Sequence, residues 1–150
     1  MAEQTRQAPP GREAFAVFVP LSTGWRDNDV YGHLNNVVYY QLFDTAVNQL
    51  LIERGLLDPA TSPVIGLVVE SHCRFHASLA FPVRVEVGVR VEKLGGASVT
   101  YRLAVFREGA ATAAAEGGYT HVYVERASGR SKRIPDPHRA AMEEWRVTCS

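Results

Sequence analysis

The sequence predicts an α+β fold in which an antiparallel sheet of about five strands wraps around one long central helix. Val83, Val85, Val87, Val89 and Val91 alternate with Arg84, Glu86, Gly88, Arg90 and Glu92, a period of two that fits a strand with one buried and one wet face. The apolar pairs Val38/Tyr39, Leu42/Phe43, Ala46/Val47 and Leu50/Leu51 recur every four residues, which lays one apolar stripe along a helix. Gly95-Gly96, Glu108-Gly109 and Ser128-Gly129 then punctuate the later strands at hairpin spacing.

Taken in order, residues 1–13 read as a flexible polar tail, 14–134 as the folded domain, and 135–150 as a short C-terminal helix and tail. Phe15-Ala16-Val17-Phe18-Val19-Pro20-Leu21 is a first strand, with Pro20 limiting how far it pairs. A polar loop from Ser22 leads into a helix of about Asn36 to Arg54, with Asn35 or Asn36 as its N-cap and Gly55 as its C′ residue. Asp58-Pro59 and Ser62-Pro63 mark a connection. Strands follow over Val64 to Ala77, Pro82 to Glu92, and Val99 to Val105, with Gly95-Gly96 supplying the positive backbone angles of a tight hairpin. The last strand covers Thr112 to Arg126 and sets Tyr119, His121 and Tyr123 on one face. A helix of about His138 to Arg146 shows little apolar periodicity.

Composition narrows the function. A chain of 150 residues suits one domain, and 46% apolar with 21% charged residues is ordinary for a globular protein. Sixteen basic and sixteen acidic residues cancel, leaving no global field to attract nucleic acid or an anionic membrane. No apolar run approaches the ~18 residues that span a bilayer, and Met1 to Arg12 lacks the apolar centre of a signal peptide. Cys73 and Cys149 lie at neither chelating nor redox spacing, and a cytoplasmic location fits them. A small sheet has edges that invite pairing, so a homodimer at least is expected.

The polar residues that could do chemistry gather at Arg26 to Asn36, just before the long helix. A carbonyl oxygen placed near Asn36 and Val37 would meet helix N–H groups that lack intrahelical partners, together with the positive end of the helix dipole. Asp29 beside it could act as a nucleophile or as a general base for water. The plainer alternative is a turn-capping aspartate. Asp27 next to Arg26 reads as a local ion pair. His33 could orient substrate, shuttle a proton or simply bond backbone. Tyr31 could line a pocket, whereas Tyr39 and Tyr40 at helical spacing suit a core. Glu70 in an apolar strand would be costly to bury unpaired, so it either pairs, for instance with Arg74, or faces the pocket. His72 and His76 lie ~13 Å apart along a strand, too far to share a metal. Nucleophile-elbow, phosphate-loop and dinucleotide fingerprints are absent.

Asp27-Asn28-Asp29-Val30-Tyr31-Gly32-His33-Leu34-Asn35-Asn36-Val37-Val38-Tyr39-Tyr40 resembles the hotdog-fold acyl-CoA thioesterases of the 4-hydroxybenzoyl-CoA thioesterase type, over roughly residues 14 to 127. The resemblance implies a curved sheet around a central helix, dimers often paired into tetramers, and hydrolysis of an acyl-CoA at the dimer interface without metal or cofactor. It puts the catalytic carboxylate on Asp29 and the carbonyl-polarising amide near Asn36. Some relatives carry a histidine where this chain has Asn36, which leaves a second acid–base group unassigned. Substrate contacts are expected from Tyr31, Val37, Tyr40 and Glu70, and from Arg126, Arg130 and Arg133 of a basic segment suited to the phosphates of CoA. The string also looks like plant-type acyl-ACP thioesterases, in which a histidine at the position of His33 takes part in catalysis, which makes His33 a further catalytic candidate; those enzymes have two such modules and an Asn at the position of Tyr31. A non-catalytic acyl-thioester-binding module and a dehydratase on the same fold are the other readings; Asp29 speaks against the first, and the missing helix His/acid pair against the second.

Overall fold

A computed structural model describes residues 7–147; the first six residues of the expected tail and Cys149 lie outside the described residues. Helix α1 (Asn36–Glu53) is wrapped by a five-stranded antiparallel sheet of β1 (Val17–Ser22), β2 (Val64–Phe75), β3 (Arg84–Leu94), β4 (Ser98–Arg107) and β5 (Ala115–Glu125), in the order β1-β3-β4-β5-β2. This is the hotdog architecture that the alternating strands and the apolar stripe anticipate. A second helix, α2 (Asp136–Glu144), closes the chain.

The four apolar pairs of α1 are all buried, and Asn35 caps the helix by accepting the Val37 N–H at 3.1 Å. Opposite them, Val85, Val87, Val89 and Val91 of β3 and Val99, Tyr101, Leu103 and Val105 of β4 are at most 3% exposed. Burying a side chain of that size contributes about 1.5 to 3 kcal/mol, so these two faces and the helix stripe supply most of the core. Gly117 and Gly118 let the sheet close up at β5: a Cβ there would come within 2.0 Å of the His72 carbonyl oxygen and 2.2 Å of that of Tyr101.

The outer face has its own small cluster. Phe15, Phe18 and Phe106 meet edge to face at 5.5 to 6.3 Å, and the Arg12 guanidinium sits 5.1 Å from two of the rings. Phe15 therefore serves this cluster, and β1 begins at Val17. Pro10 and Gly11 are tied to the 112–113 segment, which joins part of the expected tail to the domain.

One turn expectation needs correction. Gly95 and Gly96 do not take positive φ, whereas Gly109 and Gly129 do. The carbonyls of Gly95 and Gly96 instead accept from Arg139 Nη1 and the Ile134 N–H, so the hairpin is shaped by the C-terminal segment lying on it. That segment is less polar in effect than its weak periodicity suggests, for Ile134, Ala141, Met142 and Trp145 all enter the main core. Pro137 falls in the first turn of α2, where its missing N–H costs nothing, and the helix starts at Asp136. Among the described residues no helix is long and apolar enough to cross a membrane.

Candidate active site

The loop before α1 is stitched down at several points. The Asn28 side chain accepts the Phe81 N–H at 2.9 Å, and the Leu34 N–H donates to the Leu79 carbonyl at 2.7 Å. Asp27 does not pair with Arg26 as expected. Its Oδ2 accepts the Gly24 N–H at 2.7 Å, because the 3-10 turn Trp25–Asp27 directs the carboxylate back onto its own start. Its carbonyl takes the Asn35 N–H at 2.9 Å, which fixes where the helix begins.

Asp29 forms the next turn. One oxygen, Oδ1, accepts the Tyr31 N–H at 2.8 Å and the His33 N–H at 3.3 Å, and Gly32 supplies the positive φ of 82° on which the return depends. The loop is thus both a capped turn and a carboxylate mount: no hydrogen bond to Oδ2 is found among the described residues. Asp29 lines an open cavity of about 410 Å³ together with His33, Asn36, Tyr39, Phe75 and His76.

The helix start offers fewer donors than the sequence suggests. The Val37 N–H is taken by the Asn35 cap and the Val38 N–H by the Asn35 carbonyl at 2.9 Å. This leaves the Asn36 N–H as the first helix amide with no partner among the described residues, on a residue that lines the same cavity as Asp29.

The remaining candidates scatter. His33 is exposed and also lines a neighbouring cavity of about 440 Å³ that reaches Arg107. Val37 and Tyr40 line a third, apolar cavity of about 260 Å³ between α1 and β2, with Val68, Ser71 and Tyr119. Tyr31 is 82% exposed and faces none of these cavities in the single chain. Glu70 is exposed and unpaired with Arg74: the apolar strand around it is a sheet edge, so the burial cost assumed for its carboxylate does not arise. It follows the bulge of β2 at Val69. Arg126 spends its guanidinium on the Ser62 and Pro59 carbonyls, at 2.7 and 2.9 Å. Arg130 and Arg133 are exposed nearby, at the opposite end of the β2/β5 ladder from Phe75.

One group at the cavity escapes the sequence motif altogether. His76 Nε2 lies 3.1 Å from Glu116 Oε1, and Glu116 Oε2 accepts Arg102 Nη2 at 2.8 Å, with Arg74 at 3.9 Å from the first oxygen. Burial opposes the Glu116 charge, but the Arg102 and His76 hydrogen bonds outweigh it and hold the carboxyl below the usual range. The only signal in the chain is a lone carboxylate in the small-residue run Ala113-Ala114-Ala115-Glu116-Gly117-Gly118. Neighbouring Cys73 is inert by contrast, its thiol pushed up to about 12 by burial and by the Glu116 charge.

The thioesterase-like superfamily matches residues 23–142 of the chain. Among solved structures, the chain is similar to the PA5185 protein of Pseudomonas aeruginosa strain PAO1, at 51% identity over 95% of this chain and 100% of that one, with a TM-score of 0.92. A 1,4-dihydroxy-2-naphthoyl-CoA thioesterase from Synechocystis matches at 15% identity over 83% of this chain and 93% of its own, with a TM-score of 0.76. BH1999 gentisyl-coenzyme A thioesterase matches at 22% identity over 84% and 99%, with a TM-score of 0.72. At those two identities the likeness is one of fold. No curated protein matches the sequence.

Proposed function

The chain belongs to the thioesterase-like superfamily, and on that premise we propose that it hydrolyses a fatty or aromatic acyl-CoA to the free acid and CoA, with Asp29 as the working carboxylate. The observation that carries this reading is the division of labour within Asp29. Backbone amides hold Oδ1 in place and leave Oδ2 without a hydrogen bond among the described residues, on a side chain that lines the same cavity as Asn36. A thioester carbonyl bound with its oxygen at the Asn36 N–H would be polarised by that donor and by the roughly half charge at the helix start. One such donor contributes on the order of 10²-fold to 10³-fold in rate.

Asp29 then has two routes. As a nucleophile it adds to the carbonyl carbon, the C–S bond breaks with its electron pair on sulfur, and water opens the resulting anhydride. As a base it takes a proton from water, which attacks the thioester directly. The products are the same.

The site is completed by a second copy. Leu67, Val68, Val69 and Phe75 on edge strand β2 are 47 to 61% exposed, as is Val37 at 57%. Antiparallel pairing of β2 with its counterpart satisfies the free edge and covers these side chains. The ladder is roughly 40 Å long, and a two-fold axis at its centre sets the far end of the partner beside the Phe75 end. The partner subunit's Arg130 and Arg133 would thereby approach the Asp29 cavity, where they could hold CoA phosphates.

A thiol-release screen over short, long and aromatic acyl-CoAs, run beside the matching acyl-ACPs, tests the function. Turnover of CoA esters is expected, with ACP esters poorer. Saturable binding with no thiol release across the panel would point instead to a binding module, and preference for ACP would shift the carrier.

A further inference from the structure

Asp29 alone has to serve two steps on the nucleophile route, since the water that opens the anhydride also needs a base. His76 offers one. Its side chain is 11% exposed, and the ring is gripped at Nε2 by a carboxylate that is itself anchored by Arg102. A carboxylate accepting from Nε2–H fixes the tautomer and leaves Nδ1 with its lone pair, the orienting role that a buried acid plays for a base in hydrolytic triads. No hydrogen bond to His76 Nδ1 is found among the described residues, and this nitrogen is not sealed in the core as those of His121 and His138 are. His76 and Asp29 share one cavity.

On the thioesterase reading above, we infer that His76 is the general base for the deacylation half of the reaction and that Glu116 is its positioning residue. Asp29 attacks first, forming the acyl–Oδ bond and expelling the thiolate. His76 Nδ1 then takes a proton from water as the water oxygen bonds to the acyl carbon. The acyl–Oδ bond breaks, its electron pair restoring the Asp29 carboxylate, and the imidazolium passes its proton to the free thiolate or to solvent. The charged and titratable groups around the ring are Glu116 from β5, Arg102 from β4, Arg74 from β2, Tyr39 from α1, and Asp29 and His33 from the loop across the cavity. The Glu116 contact at Nε2 confines the proton-accepting role to Nδ1.

The test is rapid-mixing thiol release by the full-length protein and its His76→Gln, His76→Asn and Glu116→Gln variants. For the His76 variants the expected result is a burst of about one thiol per site followed by steady turnover lowered on the order of 10²-fold. Loss of one ionisation from the pH profile of kcat should accompany it. Glu116→Gln should lower kcat less and shift that ionisation, with KM little changed. A folded His76 variant that keeps the parent's kcat and pH profile overturns the inference, and so does a lowered rate without a burst. If both His76 variants fail to fold, an unchanged pH profile in Glu116→Gln overturns it and a shifted one upholds it. A parent protein that releases no thiol sinks the thioesterase reading itself, which keeps the two failures apart.

Discussion

β1 is six residues long, carries Pro20 in its ladder, and is flanked by Arg12, whose guanidinium bonds the Ala110 carbonyl and Glu86 at 2.7 Å while lying against Phe18 and Phe106. β2, at the other edge, runs for twelve residues without proline and shows Leu67, Val68, Val69 and Phe75 to solvent. Short length, proline and fixed charge are how a sheet edge is kept from pairing. The β2 edge is long and free of proline, and its charges, Glu70 and Arg74, lie beyond the exposed apolar run Leu67-Val68-Val69, which is what an edge meant for a partner looks like. The candidate cavity lies at one end of that open edge, so the same asymmetry bears on where catalysis is completed.

Among changes that set the two edges apart, placing a charge on β2 should have the largest effect. Val68→Lys is expected to convert a particle of twice the 16.5 kDa chain mass into one of single mass, and to lower kcat/KM at least tenfold through loss of the partner's contribution. Ser22→Lys on β1 should change neither. Light scattering and thiol release read both variants, and a Val68→Lys protein that remains paired and active would move the interface off β2.

Acid should weaken the β2 side next. His121 on β5 sits opposite Val68, and burial pushes its imidazole down to about 4. In the unfolded chain a histidine titrates near 6.5, so the unfolded state binds the extra proton between those values. Stability is therefore full above about pH 6.5 and falls as pH drops toward about 4, by roughly 3 kcal/mol in all. Urea unfolding across that range should show the slope, and His121→Leu should flatten it. A slope unchanged in the variant would assign the acid sensitivity elsewhere.

The smallest effect belongs to the blunted edge. Arg12→Ala removes a half-exposed ion pair and two cation–π contacts, a loss of about 1 kcal/mol, while oligomeric state and kcat stay at the parent's values. A change in either would show that β1 takes part in assembly.

The same two edges separate what the chain reveals from what it hides. The α1 pairs, the β3 alternation, an asparagine cap at Asn35 or Asn36 and the turns at Gly55, Gly109 and Gly129 are local, and each was readable from spacing or from a residue's own backbone preference. The burial assumed for Glu70 does not occur, for a physical reason: an apolar run reports that a strand is to be covered, and leaves open whether the cover comes from the same chain. His76 and Glu116 stand forty positions apart, and only the β2/β5 register joins them. The Val37 amide likewise became unavailable only once Asn35, rather than Asn36, proved to be the cap.

The most direct measurement is the rate of acyl-CoA hydrolysis by Asp29→Asn against the parent, with folding and oligomeric state checked in parallel. The substitution keeps both Oδ1 hydrogen bonds to the loop and removes the charge. A loss of at least 10²-fold in kcat with fold and assembly intact is the predicted result; a variant as fast as the parent would contradict the assignment of Asp29.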